Sequence, residues 1–233
     1  MQEKTSPQIS VPFMIITCLF VTCLLITNIV AGRLIYLFGM NLTADLFLFP
    51  ITYIFGDVLT EVYGFKKARL TIWLGFAANL LMSVFFMIII TLPYPEFWQH
   101  NNAYNTVLGF TPRLVAASLT AYFIGEFSNS IVLSKMKILT QGRHLWARTI
   151  GSTIVGQGLD TFVFMLIAFS GLYSWPIFFS MVLAQYLWKV GYEVLATPLT
   201  YLFVGWLKKK EGIDTFDKDV SYNPFQLGIR EQS

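Results

Sequence analysis

Asp57 and Glu61 stand four residues apart near the end of an apolar run, "FPITYIFGDVLTEVYGFKKAR" (49–69). One helical turn separates them, so on a helix both carboxylates share a face. Glu126, Asp160, Lys189 and Glu193 interrupt other apolar stretches, as do the amides Asn28, Asn79, Asn129, Gln157 and Gln185. Carboxylates can accept forked hydrogen bonds from a donor-rich ligand, hold a proton or pair with a base. Amides can orient a ligand or tie helices together. The surrounding solvent, and whether these groups share faces, decides among these uses.

They do share faces. Tyr53, Asp57, Thr60, Glu61 and Gly64 follow i, i+4, i+7, i+8, i+11, and Ser118, Tyr122, Gly125, Glu126 and Asn129 repeat that spacing. Ser152 or Thr153, Gly156, Gln157, Asp160 and Thr161 make a third stripe; Gln185, Lys189, Tyr192 and Glu193 make a fourth. At about 3.6 residues per turn each set is a narrow polar strip. Four strips escape lipid only by facing one another, which predicts a polar cavity inside a helix bundle.

The rest of the chain supplies that bundle. Of 233 residues, 55% are hydrophobic and 12% charged, too little charge to cover a soluble domain of this size. Apolar stretches of roughly 20 residues or more, at 11–31, 45–63, 69–92, 112–134, 148–170 and 176–207, are long enough to span a bilayer. The expected fold is all-α, a polytopic membrane protein with six transmembrane helices in one bundle (1–210) and a polar cytoplasmic tail (211–233). The first stretch follows Lys4 but exceeds a signal-peptide core and lacks a clear small-residue cleavage site, so it reads as a retained span. Cys18 and Cys23 lie within it at i, i+5 and read as packing residues. Pro198 interrupts the last stretch, where a kink or tilt would absorb the excess length.

Basic residues orient the bundle. Lys66, Lys67 and Arg69 sit in the second loop, Lys135, Lys137, Arg143 and Arg148 in the fourth, and Lys208, Lys209 and Lys210 after the last span. The odd-numbered loops hold only Arg33 and Arg113. The positive-inside rule therefore places both termini in the cytoplasm. The net charge of +3 reflects this topology and no nucleic-acid-binding stripe. In the third loop (93–110), Phe97, Trp98, Tyr104 and Phe110 read as interfacial anchors, with an aromatic lid as the alternative.

Five carboxylates accompany one lysine at membrane depth. A dry site cannot hold five negative charges against one positive, so some must be protonated, solvated, paired with loop bases or matched by a cationic or donor-rich ligand. Glu61 lies near enough to the loop to pair with Lys66, Lys67 or Arg69. Lys189 can pair with Glu193 along its helix or reach Asp160. Asp160 has no basic neighbour in sequence and reads as functional. No phosphate loop, C-x-x-C, H-E-x-x-H or G-x-S-x-G appears, which argues against an ATPase, a metal site and a hydrolase. His100 and His144 fall in loops, and no cofactor is implied. Transport fits better than enzymatic chemistry.

The run "GDVLTEVYGFKKAR" (56–69) resembles the D-x-x-x-E-x-Y-G…A-R signature of the bacterial queuosine precursor transporter family, grouped with vitamin-uptake-type transporters. The resemblance extends through "LTQGRHLWARTIGSTIVGQGLDTFVF" (139–164), "QYLWKVGYEVLATPLTY" (185–201) and "DTFDKDVSYNPF" (214–225). It implies a six-helix fold like that of energy-coupling-factor substrate-binding subunits, in the bacterial inner membrane. It also implies import of 7-cyano-7-deazaguanine and 7-aminomethyl-7-deazaguanine for salvage into tRNA queuosine. Asp57, Glu61, Asp160, Gln185, Lys189 and Glu193 fall on its motif positions. For such a base the expected binding set is Asn79, Glu126, Gln157, Asp160, Gln185 and Lys189, with Asp160 or Glu126 on the guanine-like edge. Asp57, Glu61, Arg69 and Glu193 form the expected inner gate or proton site. The expected partners are the deazaguanine base and membrane lipid, with a homodimer left open. The alternative is a capture subunit for a separate ATP-driven module.

Overall fold

A backbone in lipid must satisfy its own N–H and C=O groups, so apolar runs of this length become helices. The computed structural model describes residues 10–31, 33–37, 40–109, 112–171, 174–218 and 220–226. Its helices are α1 (Val11–Val30), α2 (Phe49–Tyr63), α3 (Phe65–Thr91), α4 (Asn101–Leu108), α5 (Pro112–Leu139), α6 (Leu145–Phe169) and α7 (Trp175–Glu211). Ser10 caps α1, its Oγ accepting from the Phe13 N–H at 3.3 Å. The first loop carries regular structure of its own. Strands β1 (Leu34–Leu37) and β2 (Met40–Thr43) pair there as an antiparallel hairpin, leading through a 3₁₀ turn (Ala44–Phe47) into α2.

Among the described residues, five helical segments are long and apolar enough to cross a membrane: α1, Ala44–Tyr63 ending in α2, α3, α6 and α7. Between α3 and α6 in the chain runs α5, of 28 residues. The helices run past the expected spans at one end of the bundle. Lys66, Lys67 and Arg69 start α3, Lys135 and Lys137 lie in α5, and Arg148 begins α6. Lys208, Lys209 and Lys210 sit in the last turn of α7, where cations complement the helix dipole. We call this the basic end. The third loop contains α4, and Trp98 packs between Tyr94 and Tyr104. Lys4 and Phe110 lie outside the described residues.

The most extensive helix pair is α5 with α6; α7 packs on α6, α2 on α1, α5 and α7, and α3 on α1 and α5. Large apolar side chains such as Leu81, Phe85, Ile88, Leu187, Leu195 and Leu202 face outward, and polar groups turn inward, the arrangement lipid requires. At about 1.5 Å per residue the 37-residue α7 exceeds the ~30 Å hydrocarbon core. It continues through Pro198. Thr197 and Thr200 bond the carbonyls of Glu193 and Ala196, at 2.9 and 3.3 Å, around the turn that the proline cannot close.

Candidate functional site

The four polar strips meet inside the bundle. Asp57, Glu126, Asn129, Gln157, Asp160, Lys189 and Glu193 are each no more than 7% exposed. Glycines allow α5 and α6 to come this close: a Cβ on Gly125 would lie 2.6 Å from Asp160 Cβ and 3.1 Å from the Gly156 carbonyl oxygen. A Cβ on Gly156 would lie 2.6 Å from Asn129 Cβ. The crossing thus sets Asp160 beside Gly125 and Asn129 beside Gly156, about one helical turn apart, where they meet α7 and α2. Asn129 donates to Asp57 Oδ1 at 2.7 Å. Lys189 donates to Asp160 Oδ2 at 3.1 Å, and its Nζ lies 3.9 Å from the centre of the Phe49 ring. Of the two partners open to Lys189, the structure selects Asp160.

Other groups in this core are unsatisfied. Among the described residues, Asp57 Oδ2, Glu126 Oε1, both carboxylate oxygens of Glu193, Asn129 Oδ1, Gln157 Oε1 and the hydroxyls of Tyr53, Thr153 and Thr161 are buried without a hydrogen-bond partner. A buried unpaired polar group costs roughly 1–3 kcal/mol, and more when charged. Every such atom is an oxygen. Six of these oxygens, on carboxylates and amides, accept, while the three hydroxyls can also donate, so acceptors outnumber donors among the unpartnered groups of the core.

At the basic end the pattern reverses. The fully buried Glu61 accepts from Arg148 Nη2 at 2.8 Å and Nε at 3.2 Å, and from Lys208 at 2.7 Å, with Lys137 at 3.6 Å. Lys137 also donates to the Glu61 carbonyl and to Asp214 Oδ1, each at 2.5 Å, and Lys208 reaches Asp214 at 2.9 Å. Burial would raise the Asp214 carboxyl, but hydrogen bonds and charge from Lys137 and Lys208 outweigh it and hold the group below its ordinary value. Three cations from α5, α6 and α7 thus converge on one glutamate of α2.

Residues after α7 complete this end. Gly64 turns the chain from α2 to α3 at φ +83°, which favours glycine. A Cβ there would lie 2.6 Å from Thr215 Cγ2 and 2.8 Å from Asp217 Oδ1. Asp217 Oδ2 accepts from the Phe65 N–H at 2.9 Å and from Ser134 Oγ at 2.6 Å, capping α3 and tying it to α5. Arg69 donates to the carbonyls of Ser221 and Asn223 at 3.1 and 2.8 Å, and Trp73 to that of Pro224 at 2.8 Å.

Of the expected substrate-binding residues, Glu126, Gln157, Asp160 and Lys189 are in the polar core. Asn79 lies elsewhere, bonded to Asn28 at 2.6 Å and the Gly75 carbonyl at 3.1 Å, while Asn28 accepts from Ser118. These contacts tie α1, α3 and α5. Gln185 is half-buried, and its Nε2 lies 3.7 Å from Met165 Sδ. Among the gate residues, Asp57 and Glu193 share the core and Glu61 forms the basic hub. Arg69 contacts the tail. The bases expected for Glu61 do not supply its partners: Lys66 is exposed, and Lys67 lies over the Phe13 and Tyr63 rings. Sequence reasoning missed Arg148 and Lys208 as these partners because they lie 87 and 147 residues away. The acidic spacing of "DTFDKD" was the available signal for Asp214 and Asp217.

Residues 43–203 match the family described as "Putative vitamin uptake transporter". A protein of Bacillus subtilis named "Probable queuosine precursor transporter" is 30% identical over 175 residues, 75% of this chain and 76% of its own length. An Escherichia coli protein named "Queuosine precursor transporter" is 30% identical over 131 residues, 56% of this chain and 57% of its own. A Haemophilus influenzae protein named "Probable queuosine precursor transporter" is 26% identical over 132 residues, 57% of this chain and 54% of its own. No solved structure matches. These relatives are named as transporters, not enzymes, and the apolar helices make the chain a multi-pass membrane protein. With the match running from the hairpin through most of α7, the chain belongs to this vitamin-uptake transporter family.

Proposed function

We propose that this protein imports 7-deazaguanine precursors of queuosine across a bacterial cytoplasmic membrane, through a bundle crossing it six times with both termini inside. The names of its relatives support the substrate class. The observation that carries the reading is the acceptor-rich core. A deazaguanine offers adjacent N1–H and amino donors, which a carboxylate accepts as a forked pair. Asp57 Oδ2, the Glu193 carboxylate and Gln157 Oε1 are the unpartnered acceptors that such an edge satisfies. Lys189, held by Asp160, supplies a donor for the base's carbonyl oxygen. The ammonium of the aminomethyl form matches the surplus of acid. The basic end is then the cytoplasmic gate, closed by the Glu61 hub.

The test is uptake of labelled 7-cyano- and 7-aminomethyl-7-deazaguanine into cells unable to make either. The intact chain restores uptake, and Asp57→Asn or Asp160→Asn, each confirmed in the membrane, lowers it at least tenfold. Absence of uptake of both compounds by the well-expressed intact chain overturns the assignment.

A further inference from the structure

The charges of the polar core do not balance, and one acid stands apart. Asp160 has Lys189, and Glu61 has Arg148, Lys208 and Lys137. Among the described residues no cation pairs with Asp57, Glu126 or Glu193. Asp57 retains the Asn129 donor and lies beside Glu193, in the face assigned above to the base.

Glu126 occupies a different place. Its Oε1 abuts Gly56, in close contact, and has no hydrogen-bond partner among the described residues. The crevice beside it is lined by Phe20, Gly56, Leu59, Ala68, Thr71, Ile72 and Ser130, and has no room for a water molecule. It therefore has no room for a hydrated metal ion either. The charged groups facing Glu126 are Asp160 on α6, with its Lys189 partner, and Glu193 on α7, with Asp57 on α2 close by. The Tyr53 hydroxyl, buried and unpartnered, lies among these same acids, and Tyr122 stands one turn earlier on α5. From α1 and α3 the neighbours are Phe20, Thr71 and Ile72. A carboxylate in such a place faces like charges, hydrocarbon and neutral hydroxyls, with the nearest cation held by Asp160, whereas a neutral carboxylic acid fits.

We infer that Glu126 carries the proton that drives import, binding it from the outer side with the substrate and releasing it to the cytoplasm. One proton adds to the carboxylate and one leaves it per cycle, with no other bond made or broken. The coupling has a path in the fold: Glu126 contacts Gly56, and the next residue is Asp57, in the substrate face. Loading the base against Asp57 and moving α2 changes the space that the Glu126 acid occupies. This inference rests on the importer reading above, and its test separates the two.

The measurement uses right-side-out membrane vesicles and neutral labelled 7-cyano-7-deazaguanine, whose entry moves no charge of its own. An imposed inward proton gradient drives accumulation by the intact chain at least tenfold above equilibration. Substrate addition to lightly buffered vesicles also raises the external pH. Glu126→Gln abolishes gradient-driven accumulation, keeps measurable exchange of internal for external substrate, and flattens the pH profile of that exchange. Accumulation by the intact chain that ignores the proton gradient, or follows a sodium gradient instead, overturns the inference, as does a Glu126→Gln protein that still accumulates. If Glu126→Gln does not reach the membrane, the external pH signal from the intact chain decides alone, and its absence overturns the inference. Failure of the intact chain to exchange or take up the compound at all is a different result, and it removes the importer reading itself.

Discussion

Glu61 shows how far a single side chain's surroundings can depart from its sequence neighbours. Three basic residues follow it within eight positions, yet its partners come from α5, α6 and α7. Arg148 is 1% exposed and pairs with Glu61, so removing the glutamate charge leaves that buried cation without its carboxylate, while Lys137 keeps Asp214. Breaking a buried pair typically costs about 3–5 kcal/mol. Glu61→Gln should therefore lower the melting temperature in detergent well below that of Asp57→Asn, which removes a carboxylate with no cationic partner; equal melting temperatures would refute this hub. Because Asp214 is held below its ordinary value, its contribution is present above the unfolded carboxylate range near pH 4 and is lost only as pH falls through the lower folded value. Asp214 thus stays charged between about pH 5 and 8. At this scale the sequence revealed which groups are polar at depth and which share a face. It did not reveal pairing, because partners are chosen by helix packing across tens of residues.

Helices α5 and α6 set the geometry of the core through two glycines. Gly156→Ala places a Cβ 2.6 Å from Asn129 Cβ and 3.0 Å from the Gly125 carbonyl, both on α5. The helices must separate, which disturbs the Asn129–Asp57 bond; overpacking of this kind costs about 1–3 kcal/mol. Gly191 on α7 has nothing within 4 Å of an added Cβ, so Gly191→Ala should be neutral or mildly stabilising through helix propensity. Thermal unfolding of the two variants checks the contrast. The elements themselves were legible: apolar length gave the long helices, and the 3.6-residue repeat gave their inner faces. The hairpin at residues 34–43 was not, since strand pairing in a short connection leaves little trace beside such strong helical signals.

At the scale of the whole chain, residues 213–218 and 220–226, part of what composition marked as a polar tail, belong to the closure of the basic end. Thr215 N–H bonds the Val62 carbonyl at 3.2 Å, Asp217 caps α3, and Phe225 packs against Trp73 and Phe123. Asp217→Asn weakens a charged cap and a bond to Ser134, a loss of about 1–2 kcal/mol. Deleting residues 213–226 should cost more and speed proteolysis at the α2–α3 corner; an unchanged cleavage rate would count against this role. The Phe65 N–H waits for a partner 152 positions later in the chain. During synthesis, then, the corner between the second and third helices stays unfinished until Asp217 has left the ribosome. A polypeptide broken off before that residue keeps the corner open to quality-control proteases.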